Sequence, residues 1–369
     1  MLKRIVIKFG TTSLTNHTRE LSRPNMLEFV RQIAELHSEG HQIIVVSSGA
    51  VTAGIEILKN PKIAKDLPAK QMFSSIGQGR LIQLWTELFS FYQINVGQIL
   101  LTRGDLSDRQ RYLNVRDTIT TLIDHRVIPV INENDTVATE EIRVGDNDNL
   151  SALVANTVAA DLLILLTDQK GLYNDDPRKN PNAQLVEHVT RIDPSIFNLA
   201  RGGSEVGTGG MITKVEAAQI AMQSGTQTVI AAFDEKNILM RIVKGEKIGT
   251  QFKPEMSPRE SRKRWLLSEQ PRGKIQVDEG AEVQLKLKGA SLLPIGIACT
   301  SDVFSRGSIV KVVNASDHLV AVGVTSYSSD EIIKIKGCHS QSIKERLGYS
   351  YGNVVIHRDN MVINKEIEP

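Results

Sequence analysis

Up to about residue 250 the sequence alternates between two kinds of segment, and this alternation limits the possible folds more than any other feature. Short runs rich in β-branched and aliphatic residues stand at 5–9, 43–46, 97–101, 127–131, 162–166 and 228–231. Between them lie longer stretches with helical periodicity, among them 26–37, 71–91, 150–159 and 213–222. A strand followed by a helix returns to its sheet through a crossover, which sets neighbouring strands parallel. The pattern predicts an α/β fold: a mostly parallel sheet with helices on both faces, an αβα sandwich. Local punctuation agrees, with Ser22-Arg23-Pro24 at one helix start and Gly40 after its end.

The character changes beyond residue 250. The stretch "KPEMSPRESRKRW" is polar and basic and holds two prolines, so residues 253–272 read as a basic linker. From Gly273 onward the segments are short and punctuated by turns, as in "GKIQVDEGAEVQLKLKG", "FSRGSIVKVVN" and "HLVAVGVTSYSS". That spacing suits a small β-barrel or sandwich. The 369 residues are thus expected to divide into an α/β domain (1–252), the linker, and a β-rich domain with a C-terminal extension (273–369).

With 41% hydrophobic and 23% charged residues, the composition is that of a soluble globular protein. A net charge of +2 argues neither for nor against an anionic partner. Cys299 and Cys338 provide no disulfide framework and no metal-type spacing, which fits a reducing compartment. The chain opens on strand-like "MLKRIVIKFG" rather than an apolar leader, and no apolar run reaches the length of a membrane span. A cytoplasmic location is expected.

Polar residues gather where strands end, which is where ligands bind in open α/β sheets. The first strand runs into "KFGTTSL", placing Lys8 beside Gly10 and three hydroxyls; a phosphate site and a surface lysine beside a turn both fit. The second runs into "VVSSGAVTAG", whose small residues suit either ligand approach at a helix N-terminus or close packing. "INENDTVAT" follows the fourth run and gathers Asn132, Glu133, Asn134 and Asp135, which serve as amide and carboxylate partners for a small zwitterion or simply as turn residues. "VGDNDNLSALVA" crowds Asp146, Asn147, Asp148 and Asn149 before a helix, more polar groups than one cap needs. Thr167 and Asp168 close the fifth run, and "GTGGMITK" sets a glycine turn before Lys214. Neither G-x-G-x-x-G after the first strand nor the G-K-[ST] order of a P-loop is present, and H-E-x-x-H and G-x-S-x-G are absent too. Lysines, glycine turns and helix N-termini, with no nucleophile and no metal cage, are the parts that phosphoryl transfer uses.

In this order, KFGTTSL, SSGA, NENDTVAT, VGDNDNLSALVA, TDQKGLYNDDP and GTGGMITK resemble the amino acid kinase family, and the likeness extends along nearly the whole chain. "VDEGA", "GASLLPIGI" and "FSRGSIV" resemble the PUA domain that many such kinases carry. The resemblance implies an amino acid kinase fold followed by a small PUA barrel. It also implies ATP-dependent phosphorylation of the side-chain carboxylate of L-glutamate, the first step of proline synthesis. ATP would arrive with Mg2+, proline would inhibit by feedback, and the protein would be a homo-oligomer, a dimer or tetramer. Position by position, it assigns glutamate to Ser48, Asp135 and Asn147. It assigns ATP to Lys8, Thr167, Asp168, Thr208, Gly209, Gly210, Met211, Ile212, Thr213 and Lys214. Lys8 and Lys214 would neutralise the transferring phosphoryl group, with Asp148 orienting them. Two rivals stand beside this reading. The PUA likeness allows an RNA-binding protein, although residues 273–369 hold eleven Lys/Arg against eleven Asp/Glu. A sibling kinase acting on N-acetylglutamate or aspartate is the other.

Overall fold

The protein, described here from a computed structural model, is placed over residues 2–59, 61, 63, 66–138, 147–201 and 210–364. It divides into two compact units, Met1–Pro258 and Arg259–Pro369.

The first unit is built on an eight-stranded sheet. Its strands are β1 (Arg4–Phe9), β2 (Gln42–Ser47), β3 (Val96–Leu101), β4 (Ile128–Glu133), β5 (Leu162–Thr167), β6 (His188–Val189), β7 (Gln227–Ala232) and β8 (Thr250–Phe252). They lie in the order β3-β4-β2-β1-β5-β7-β8-β6. Every pairing is parallel except that of β7 with β8. The six expected strands all form, with ends shifted by two residues at most. The four expected helices form as Arg23–Ser38, Leu67–Ser90, Asn147–Thr157 and Met211–Gln223. The two-residue β6 and three-residue β8 are too short to carry a readable period.

Strand alternation sorts β1 between two cores. Ile5, Ile7 and Phe9 pack with Phe29, Ile33 and Trp85 on one face. Val6 packs with Val154, Ala155, Val215 and Ala218 on the other. Lys8 has the parity of Val6, so it points to the face covered by helices Asn147–Thr157 and Met211–Gln223.

Two of the small residues after β2, Ala50 and Gly54, lie in a helix–helix contact. Helix Ala50–Ile57 crosses Leu67–Ser90 with the backbones touching. A Cβ at Gly77 would lie 1.9 Å from the Ala50 carbonyl oxygen, and one at Gly54 1.9 Å from that of Phe73. Asp66 caps the longer helix by accepting from Ala69 N at 2.9 Å, and Leu81, Leu84, Trp85 and Phe89 anchor it in the core.

The second unit holds a five-stranded sheet in the order β10-β9-β11-β12-β13. Its strands are β9 (Lys274–Val277), β10 (Ile297–Ser301), β11 (Ile309–Val313), β12 (Leu319–Val324) and β13 (Met361–Ile363). Part of the segment read as a linker is instead a helix, Pro258–Ser268. Proline starts it where no amide hydrogen is needed, and Leu266 is buried with Ile309, Val322 and Val324. In "VDEGAEVQLKLKG" the residues after β9 form helix Glu279–Lys288, begun by an Asp278 side-chain cap and ended by Gly289 in the left-handed conformation.

The crossing can be tested against a neighbouring glycine. Gly77→Ala should lower stability by about 1–3 kcal/mol or more, because backbone atoms cannot step aside for the new methyl group. Gly79, on the same helix with nothing within 4 Å of its Cβ position, should accept alanine with a gain of up to about 1 kcal/mol. Urea denaturation midpoints moving in opposite directions are the expected result.

Candidate active site

Lys8, Asp148 and Lys214 come from three parts of the sequence and meet at the C-terminal edge of the sheet. Lys8 Nζ lies 2.6 Å from Asp148 Oδ1, and Lys214 Nζ donates to Asp148 Oδ2 at 3.1 Å. Thr213 Oγ1 donates to the same Oδ2 at 2.8 Å. Asp148 stands in the first turn of its helix, where a carboxylate also meets the positive end of the helix dipole. The three charged residues are 5, 2 and 8% exposed, so water screens them little.

Burial dominates the titration of Lys8 and, aided by the charge of Lys214, draws its pKa below the ordinary lysine value although Asp148 opposes the shift. For Asp148 burial is again the largest influence and pushes upward. The two ammonium groups and the Lys8 and Thr213 hydrogen bonds outweigh it and hold the carboxyl below the usual range. One carboxylate between two ammoniums leaves an excess of positive charge, which a polyphosphate can balance. Gly10 stands beside the cluster, where a Cβ would lie 3.4 Å from Lys8 Nζ. Gly210, at φ +101°, begins the helix that carries Lys214, and its carbonyl accepts from Lys214 Nζ at 3.3 Å.

A second cluster of polar groups adjoins the first, because Asn147 and Asp148 are consecutive. Asn147 Nδ2 lies 2.8 Å from Ser48 Oγ, 3.0 Å from Asn132 Oδ1 and 3.2 Å from the Ser47 carbonyl, and its two hydrogens are shared among these three acceptors. Asn132 Nδ2 in turn donates to Gln78 Oε1 at 2.8 Å. Asp135, in the turn after β4, accepts from Ser74 Oγ at 2.6 Å. The structure thus joins Lys8, Asp148, Thr213 and Lys214, and joins Ser48 with Asn147. Asp135 is held separately by Ser74, on the same helix as Gln78.

Thr167 ends β5, the neighbour of β1, and its hydroxyl donates to Asp168 Oδ1 at 3.0 Å. Met211 and Ile212 open the helix of Lys214. Thr208 and Gly209 lie outside the described residues. Ser74 and Gln78 escaped the sequence reading. Their signal was a polar pair four residues apart in "SSIGQG", which reads as one exposed helix face unless the partner strand is known. Among the described residues no group of three or more His, Cys, Asp or Glu is placed to hold a metal ion, and no helix is long and apolar enough to cross a membrane.

Comparison with known proteins gives a consistent picture. The model of the amino acid kinase family matches residues 3–232, and that of the PUA domain matches residues 273–347. The chain is 49% identical over 359 residues to the glutamate 5-kinases of Cronobacter sakazakii and of Shigella flexneri, covering 97% of this chain and 98% of each relative. Among solved structures, a carbamate kinase from Giardia lamblia bound to AMP-PNP superposes with a TM-score of 0.51 at 17% identity. That match covers 69% of this chain and 99% of the other, and it speaks to the fold alone.

The charge cluster makes an unequal forecast for its members. Asp148→Asn leaves two buried ammoniums facing each other and should destabilise the fold by about 3–5 kcal/mol. Lys214→Met should do less harm, since Lys8 and Asp148 remain as a neutral pair. Asp148 has a folded pKa below its unfolded one. Its contribution is therefore complete above the unfolded value of about 3.9 and is lost as pH falls further, through the folded value. Urea titrations at neutral pH and in acid should show Asp148→Asn losing most of its deficit relative to the unaltered protein at the lowest pH.

Proposed function

The chain belongs to the amino acid kinase family, and on that premise we propose that it is a glutamate 5-kinase, transferring the γ-phosphoryl group of ATP to the side-chain carboxylate of L-glutamate. The supporting observation is the adjacency of Asn147 and Asp148: one helix N-terminus serves both the lysine cluster and the amide cluster. Two substrates bound at these clusters would meet at that helix. The relatives that match along nearly their full length carry the same name.

In this reading Lys8 and Lys214 bind the phosphates and stabilise the charge that redistributes as the phosphoryl group moves. Asp148 keeps both ammoniums at the edge of the sheet and prevents either from turning away. Thr167, Asp168 and residues 208–214 hold the nucleotide, while Ser48, Asp135 and Asn147 hold glutamate. The attacking carboxylate is already ionised near neutral pH, so no residue has to remove a proton. A carboxylate oxygen forms the new bond to phosphorus as the bond to the ADP oxygen breaks, giving L-glutamyl 5-phosphate. Mg2+ would be carried by the nucleotide phosphates, where it adds charge neutralisation. That fits a site whose buried carboxylate is already engaged by two lysines.

As the first step of proline synthesis the reaction suits a cytoplasmic homo-oligomer inhibited by proline. RNA contact through residues 273–369 has weaker support, given the balance of their charges.

Purified protein with Mg-ATP should phosphorylate L-glutamate and discriminate strongly against N-acetylglutamate, with aspartate assayed as a second competitor. The acetylated substrate lacks the ammonium that Asp135 would hold, and a site made for a polar partner rejects analogues without it. Comparable turnover of either competitor in a hydroxamate assay would move the chain to a sibling enzyme.

Kinetic variants separate the two halves of the site. Lys214→Ala should lower kcat by about 10²–10³-fold with a modest change in the KM for glutamate. Asp135→Ala removes binding common to the ground and transition states and should raise that KM sharply with less effect on kcat. Steady-state kinetics giving the reverse pattern would overturn the assigned roles.

A further inference from the structure

We infer that Gln78 is a positioning residue for the amino-acid substrate: it anchors the Asn132 amide, whose polarity backbone groups set, and through it holds the Asn147 amide in place so that an acceptor oxygen is presented to the substrate ammonium. The inference deepens the glutamate kinase reading and rests on it.

Two backbone groups of fixed polarity set the direction of the relay. The Glu133 amide can only donate, and it donates to Asn132 Oδ1 at 2.8 Å. Asn132 therefore turns its Nδ2 to Gln78 Oε1, 2.8 Å away. The Ser47 carbonyl can only accept, and it lies 3.2 Å from Asn147, which must face it with Nδ2. Both ends thus agree on the bond in the middle, from Asn147 Nδ2 to Asn132 Oδ1. Rotating either amide by half a turn would set like against like at a backbone group.

The consequence appears at the other end of the Asn147 amide. Its Nδ2 has acceptors on three sides, yet its Oδ1 is buried and has no hydrogen-bond partner among the described residues. A buried acceptor left unpaired is destabilising, and such atoms are uncommon in folded proteins. A ligand ammonium supplies the missing donor. Asp135 offers the same chemistry: Ser74 occupies its Oδ2. Ser74 and Gln78 stand one helical turn apart, so one face of helix Leu67–Ser90 holds both Asp135 and the amide relay. The neighbouring Gly77 crossing seats that helix at backbone contact with Ala50–Ile57.

The test uses the full chain with Mg-ATP. Gln78→Leu removes the acceptor with little change in size, and Gln78→Glu retains an acceptor oxygen. Gln78→Leu should raise the glutamate KM about tenfold, as expected for a buried amide left without its partner, with kcat falling less than this and the ATP KM changing less than about twofold. Gln78→Glu should recover most of the loss. A glutamate KM within about twofold of the unaltered enzyme, an equal rise in the ATP KM, or equal damage from both variants would overturn the inference. Hydrogen exchange of the Asn132 and Asn147 side-chain amides, followed by isotope labelling of asparagine, supplies a readout independent of activity. Should the unaltered protein fail to phosphorylate glutamate, the functional reading falls, and exchange alone judges the relay. Protection lost in Gln78→Leu upholds the relay, and unchanged exchange sinks it.

Discussion

A single buried carboxylate, held between two ammonium groups, is the constraint on which the catalytic edge depends. Asp148 can lose its water only because Lys8 and Lys214 reach it at 2.6 and 3.1 Å. Those distances require three separate elements to converge: a central strand and the first turns of two helices. The hydrophobic core on that face supplies the convergence, since Val6 of β1 packs with Val154 and Ala155 of one helix and with Val215 and Ala218 of the other. Strand parity does the rest, because Lys8 stands two residues after Val6 and so emerges on the same face. A shift of one residue in the pairing of β1 would bury Phe9 at the cluster and send Lys8 into the opposite core.

The amide half of the site is positioned by a different device. Asn132 of β4 and Asp135 in the turn after it are held by a helix whose height is set by glycine. With Gly54 and Gly77 in backbone contact with the opposing helix, no larger residue fits at the crossing, and the distance is determined without side-chain adjustment. Trp85, farther along the same helix, donates to Ser47 Oγ at 3.0 Å and ties it to the end of β2. Thus the side chains of the amide cluster are short and polar, while the elements carrying them are held by apolar and glycine contacts.

How much of this could be read from the sequence follows from the range of each signal. Periodicity is local, so the six long strands and four helices were legible, as were Lys8, Asp148 and Lys214 within their motifs. What pairs with what is not local. Nothing in "SSIGQG" says that Ser74 meets Asp135, 61 positions later, or that Gln78 meets Asn132. The helix Pro258–Ser268 resembles a linker in sequence because its charged residues dominate the composition, and the apolar residue it buries, Leu266, sets no readable period. Helix Glu279–Lys288 was obscured by the valine and leucine alternation in "EVQLKLK", which a cap at Asp278 and a stop at Gly289 override.

The state of Asp148 also limits which acceptor the site can serve. With two ammoniums beside it and its pKa held low, it is a poor proton acceptor. An alcohol substrate would need a base at this position, and a carboxylate so firmly paired would give up its stabilisation to act as one. An acceptor that arrives ionised needs no such help and gains from the excess positive charge around it. The lysine cluster therefore favours carboxylate acceptors as a class without distinguishing among them. On the proposed reading discrimination falls to the amide cluster, where Asp135 and Asn147 Oδ1, which has no partner among the described residues, both offer acceptors. A substrate with a free ammonium satisfies both groups, whereas an acylated amine has too few hydrogens to do so. On the proposed reading the two clusters thus divide the work of one site: charge selects the reacting group, and hydrogen-bond polarity selects the molecule that bears it.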